Sequence, residues 1–147
     1  MNAYVYSISN FIYLAPTNAV EDGLVVSNFS GADTRFKGIE ARADIGLHRY
    51  VNLGLGVDYT SAEIRETGTP LPRIPPFRSR IGVDCRHQGF SFKPELVLAS
   101  DQSRIYPTET RTPGYAVVDL DASYIFPSRR SAHIVSVKLF NLGDRLY

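Results

Sequence analysis

The chain has 147 residues, 44% of them hydrophobic, and its 16 basic and 15 acidic side chains leave a formal net charge of +1. This suits one ordered domain or part of a larger one, and charges scattered without blocks argue against a nucleic-acid surface or a polybasic anchor. No apolar run reaches the roughly 18 residues of a transmembrane helix, which leaves membrane-crossing strands untouched.

Cys85 is the only cysteine, so neither a disulfide framework nor a CxxC metal pair is expected. Met1-Asn2-Ala3-Tyr4 lacks the basic and apolar regions of a secretory signal. The chain is therefore expected either to remain cytoplasmic or to be a piece of an exported protein. Nine Tyr and eight Phe without any Trp make it aromatic-rich, as strand sequences and membrane-interface girdles both are.

In chain order, Ala3 to Leu14 reads as a strand ending at the turn signal Ala15-Pro16-Thr17-Asn18, with a polar loop through Glu21-Asp22-Gly23. Leu24 to Leu47 contains no proline and reads as one long strand. Its apolar set shifts phase, from Thr34 and Phe36 flanking an inward-looking Arg35 to Ile39, Ala41, Ala43, Ile45 and Leu47. A bulge at Lys37-Gly38 is expected to absorb that slip. After the turn His48-Arg49-Tyr50, the stretch from Val51 to about Glu63 alternates: Val51, Leu53, Leu55, Val57 and Tyr59 against Asn52, Gly54, Gly56, Asp58 and Thr60.

The connection from Ile64 to Pro76 holds four prolines, which exclude a regular ladder. Phe77 to Arg86 sets Phe77, Ile81, Val83 and Cys85 against Arg78, Arg80, Asp84 and Arg86. Following the turn His87-Gln88-Gly89, Phe90 to about Gln102 opposes Phe90, Phe92, Leu96 and Leu98 to Ser91, Lys93 and Glu95, with Pro94 an awkward fit. A polar loop, Ser103 to Pro113, leads to Tyr115 to Phe126, where Val118, Leu120, Ala122, Tyr124 and Phe126 oppose Asp119, Asp121 and Ser123. Ser128 to Ala132 is a turn, and His133 to Phe140 is the seventh strand.

Long and short connections alternate, as in a meander with every long loop at one end, the arrangement of outer-membrane barrels with short periplasmic turns. A small soluble barrel fills its interior with the apolar set, whereas a large membrane barrel turns that set to lipid and lines a wet lumen with charge. Strands of ten or more residues exceed the usual five or six and favour the second arrangement. The fold expected is all-β: an antiparallel up-and-down meander of about seven long strands, a segment of a large transmembrane β-barrel.

Four stretches carry a resemblance: Phe36-Lys37-Gly38-Ile39-Glu40; Pro70-Leu71-Pro72-Arg73-Ile74-Pro75-Pro76-Phe77-Arg78; Thr110-Arg111-Thr112-Pro113-Gly114-Tyr115 leading to Asp119 and Tyr124; and Asn141-Leu142-Gly143-Asp144-Arg145-Leu146-Tyr147. In this order and spacing the chain resembles the C-terminal barrel region of a TonB-dependent outer-membrane receptor, and the Leu-Pro-Arg-Ile-Pro-Pro loop followed by Asp101-Gln102-Ser103-Arg104 and Glu109-Thr110 is similar to the branch that includes zinc-uptake receptors. The resemblance implies a barrel of about 22 strands around a plug in the outer membrane of a Gram-negative-type bacterium, importing a metal or metal chelate. By it, residues 1–147 are expected to be a fragment without plug, TonB box or closing strand, Tyr147 not being the terminal aromatic. Outer-membrane lipid, the remaining barrel and plug, and the TonB complex reached through the missing N-terminal part are its implied partners. Seven strands with two open edges are not expected to insert or transport alone.

Substrate capture is expected at the long loops, through Glu63, Glu66, Asp101, Arg104, Glu109 and Arg111, carboxylates suiting a cation and arginines an anionic chelate. Arg78, Arg80, Asp84, Arg86, Asp119 and Asp121 are expected to line the lumen, the arginines pairing with Asp84 or Asp58. His48, His87 and His133 fall at short turns without HxxxH or HExxH spacing, so no metal site is read from them. No catalytic residue, nucleic-acid partner or cofactor is expected, and no GxSxG setting suggests a hydrolase. Two other classes of function fit such a chain: a soluble lipocalin-like barrel holding a small ligand, and an outer-membrane enzyme of small-barrel type, which needs a catalytic constellation absent from this sequence.

Overall fold

The computed structural model describes residues 1–146; Tyr147, last residue of the Asn141 stretch, lies outside them. Seven strands run in chain order through one sheet: β1 (Asn2–Glu21), β2 (Leu24–His48), β3 (Val51–Ile64), β4 (Arg78–His87), β5 (Phe90–Ala99), β6 (Tyr115–Pro127) and β7 (Ala132–Leu139). The residues divide into two compact units. One holds Met1–Glu40, Asp58–Phe77 and Ser100–Gly114; the other holds Ala41–Val57, Arg78–Ala99 and the chain from Tyr115 onward. Both long loops thus fall in the first unit, and the turns at 49–50, 88–89 and 128–131 in the second.

In the second unit the expected alternation appears as cross-strand pairs. Ile81 lies opposite Leu96, Cys85 opposite Phe92, Leu96 opposite Val118, Tyr124 opposite Val135 and Ala122 opposite Val137. One face is therefore a continuous apolar surface, and it is not packed away: Val135 is 58% exposed, Val137 54% and Phe126 49%. A soluble barrel would bury these rows. Among the described residues the buried apolar ones are only Ala62, Leu71, Ala99 and Val117, so the lipocalin-like alternative is set aside and hydrocarbon is the medium this face fits. Pro94 is accommodated by a local gap: the β4–β5 ladder breaks between Gly82–Glu95 and Cys85–Phe92, where proline offers no N–H.

Aromatic side chains gather at the short-turn end of this unit. The Tyr50 ring meets His87 edge-on at 4.5 Å and lies 5.3 Å from His48, while Arg49 sits 4.6 Å over it. Arg86 N–H donates to the Tyr50 carbonyl, so the first two short turns are tied together. Tyr124 and Phe126 add an edge-to-face pair at 4.5 Å. Amphipathic rings at one level match a membrane-interface girdle.

In the first unit two expectations are corrected. The 15–23 loop is absent: β1 runs to Glu21 and turns on Asp22 and Gly23, with φ of 50° and 81°. Two successive positive φ values make a tight hairpin turn of the kind Asp-Gly favours. The Pro16–Asn18 cluster that imitates a loop is instead an irregularity, with the ladder shifting between Pro16 and Val20. Thr17 Oγ1 donates to the Val26 carbonyl and accepts from Ala19 N–H there.

Nor does a bulge fall at Lys37-Gly38. In the β1–β2 ladder Tyr4 faces Gly38 and Val5 faces Lys37 in unbroken register, and the shift comes between Ile8 and Phe11. There Asn10 adopts a φ of 52°, and its N–H donates to Asp33 Oδ1 at 3.0 Å. The residues after Thr34 therefore keep one parity. Arg35 and Lys37 share the face of Ile39, not the inward face expected for Arg35, while Thr34, Phe36 and Gly38 share the face of Glu40.

That inward face is covered here by β1: the Tyr4 ring lies over Gly38, Phe11 meets Phe36 edge-on at 5.2 Å, and Thr34 Oγ1 donates to the Ile8 carbonyl. Arg65 N–H bonds the Asp33 carbonyl and Leu71 N–H bonds the Ala62 carbonyl. Thr34, Ala62 and Leu71 are all buried. Tyr4 exploits Gly38: its ring lies where a Cβ at Gly38 would stand, and its hydroxyl bonds Thr60 Oγ1 at 2.9 Å, across β2 from β1 to β3.

Candidate functional site

The two long loops, 65–77 and 100–114, are locked to each other and to the end of β3 by a small set of polar side chains. Glu109 is the hinge pin. One of its carboxylate oxygens accepts Arg73 N–H at 2.8 Å from the first loop, and the other accepts Tyr106 N–H at 2.9 Å within its own. Gln102 joins the loops a second time, donating from Nε2 to the Ile74 carbonyl, while its backbone N–H bonds the Thr112 carbonyl at 2.9 Å. Arg104 spans to β3, donating to Ser61 Oγ and to Glu63 Oε2. Four prolines in the first loop remove N–H donors, so side chains rather than a ladder must hold it.

Of the six loop residues expected to meet substrate, three are committed to this brace. Glu63 and Arg104 form an ion pair, and Glu109 binds backbone amides. Glu66, Asp101 and Arg111 are exposed, and none carries a side-chain ion pair among the described residues. Ser61, Gln102 and the Arg73 and Tyr106 amides were not singled out from sequence. Glu109→Ala is expected to free two backbone donors, at a local cost of about 1–3 kcal/mol. Limited proteolysis should then cut within 100–114 many times faster while the strands stay intact.

The expected lumen residues lie together on the polar face of the second unit. Asp84 meets Arg86 at 2.6 Å and Lys93 at 3.7 Å, Arg80 meets Glu95 at 3.6 Å, and Asp121 meets Lys138 at 3.1 Å. Asp119 Oδ1 accepts the N–H of Asn141 at 2.8 Å, and Asn141 in turn brackets Arg145 through its side-chain amide. Arg78 and Asp58 are engaged as well. The row is one of alternating charge across β4 to β7, in which each arginine expected to line a lumen is also held structurally. Among the described residues no three His, Cys, Asp or Glu side chains form a group able to hold a metal ion.

Residues 1–142 match the family model described as TonB dependent receptor-like, beta-barrel. The chain belongs to that family. A TonB-dependent receptor barrel resides in the outer membrane of Gram-negative bacteria, which gives the exposed apolar rows their hydrocarbon partner. Among solved structures the receptor chain is similar to one titled "Copper transporter OprC", with a TM-score of 0.84 and 20% identity, covering 97% of this chain and 23% of that one. At that identity the likeness shows the fold: a meander segment of a transmembrane barrel. No curated protein matches the chain.

Proposed function

We propose that these residues form part of the wall and outer loops of a TonB-dependent receptor that imports a metal or a metal chelate, the remaining barrel, a plug and the TonB complex acting with it. The observation that carries this reading is the braced loop pair within a barrel of this family. Loops fixed to each other at Glu109 and Gln102 and to β3 at Arg104 present Glu66, Asp101 and Arg111 on a rigid support, and rigid presentation lowers the ordering cost of binding. Arg111 suits a carboxylate-bearing or phosphate-bearing chelate, and Glu66 with Asp101 suits a hard cation approaching as an aquo ion.

The copper transporter resembled in fold makes copper the first cargo to test, and a ferric chelate the second. Cells carrying the whole receptor are expected to accumulate one of these in a TonB-dependent manner. Arg111→Ala should raise the half-saturating concentration of an anionic chelate by about tenfold, the worth of one charge-assisted contact. Uptake of both cargos unchanged on deleting the gene would refute the import reading.

A further inference from the structure

The short-turn edge of the second unit carries cations and no carboxylates. Residues 45–57, 85–94 and 122–143, which hold the three short turns and the strand segments beside them, include no Asp or Glu. Arg86 and Lys93 in these stretches are committed to Asp84, and Lys138 to Asp121. Arg49, Arg129 and Arg130 are exposed and have no ion pair among the described residues, Arg49 resting instead on the Tyr50 ring.

Backbone bonds hold these turns as one rim. The Arg86 amide joins the second turn to the first at Tyr50, and Ile125 N–H donates to the Gly89 carbonyl at 2.9 Å, joining the second to the strand that enters the third. A Cβ at Gly89 would stand 2.8 Å from the Ile125 carbonyl oxygen, so this approach requires glycine. The third turn closes on itself, Ser128 N–H donating to the Ser131 carbonyl at 2.7 Å, which sets Arg129 and Arg130 side by side at its tip. Successive short turns are two strands apart, about 10 Å, so Arg49 and the arginine pair are about 20 Å apart along the rim. The tip lies beyond the last ladder pair, Pro127 with Ala132, and past the aromatic level of Tyr124 and Phe126. It therefore stands on the periplasmic side of the headgroups, where the short turns of an outer-membrane barrel lie.

We propose that this rim binds peptidoglycan, the anionic polymer beneath an outer membrane, with Arg129 and Arg130 on the carboxylates of one stem peptide and Arg49 on those of another. Guanidinium groups take carboxylates in a two-pronged contact, and spaced contacts on one polymer reinforce each other once the first has formed. A rim already fixed by backbone bonds loses little freedom on docking. The inference rests on the orientation of the barrel and is independent of the cargo, so failure of the import experiment leaves it standing.

The test is co-sedimentation of the whole receptor, in a neutral detergent, with purified peptidoglycan sacculi. The receptor should sediment with them, less so as salt is raised, and Arg49→Gln, Arg129→Gln and Arg130→Gln together should weaken the binding by roughly tenfold or more. The corresponding triple lysine variant, which keeps the charge, should bind more tightly than the glutamine one, and heat-modifiable gel mobility should confirm that all variants are folded. Sacculi whose carboxylates have been amidated should no longer retain the receptor, and phosphatidylglycerol vesicles, the alternative anionic partner, should not displace it. Equal sedimentation of the triple glutamine variant, equal retention by amidated sacculi, or displacement by the vesicles would overturn the proposal.

Discussion

Ala43→Arg is expected to cost the receptor barrel about 2–4 kcal/mol, the penalty of an arginine near the bilayer midplane on a lipid-facing strand position. Ala43 lies midway along the apolar positions of β2, between Ile45 and Ala41, and Ile45 and Leu47 are exposed on the same side. Adding the charge removes almost no packing, so desolvation dominates the change. Ser123→Arg places the same guanidinium on the other face of the sheet, where Ser123 pairs with Ser91 and Ser136 in the row of ion pairs. It should shift stability by no more than about 1 kcal/mol. Urea unfolding of the receptor in lipid vesicles, followed by heat-modifiable mobility, separates the two cases. Equal effects would mean that the apolar side of β2 does not face lipid.

Those two positions also show how far a sequence speaks in this fold. β4 to β7 were legible because each is read by one alternation with a single medium on each side, and the ladders pair Leu96 with Val118 and Lys93 with Asp121 as the pattern requires. β1 and the first half of β2 were less legible because their inward side does not meet water. Aromatic side chains of β1 lie over it, so Thr34, Phe36 and Gly38 break the polar rule without any change of parity, and the break imitates a bulge. The actual bulge, at Asn10, leaves no apolar signature because Asp33 satisfies it through a side chain.

Likewise Asp22-Gly23 is a strong hairpin signal, but Pro16-Thr17-Asn18 precedes it, and a proline in an edge strand reads as a loop until its partner strand is known. At the candidate site, composition identified the charged loop residues. It did not distinguish Glu109, whose carboxylate caps backbone amides of two loops, from Glu66, which is free to meet solvent, because that difference depends on where a second Pro-rich loop comes to lie.

Gly38→Val carries the second large effect, expected to cost about 2–4 kcal/mol by combining overpacking with the loss of a hydrogen bond. No room exists for a side chain at Gly38, because the Tyr4 ring occupies the place of its Cβ while reaching Thr60. A β-branched residue must therefore expel the ring, break the 2.9 Å bond between the two hydroxyls and uncover Gly38's buried backbone. Tyr4→Ala alone should lose the bond and the ring contacts, including the stacked Tyr6 at 5.1 Å, but create no clash. The double variant Gly38→Val with Tyr4→Ala should then be more stable than the sum of the two single changes predicts, by about 1–3 kcal/mol, since the valine enters the space the ring has left. Strict additivity in urea unfolding would show that the valine's cost comes from the strand backbone and not from the tyrosine that crosses it.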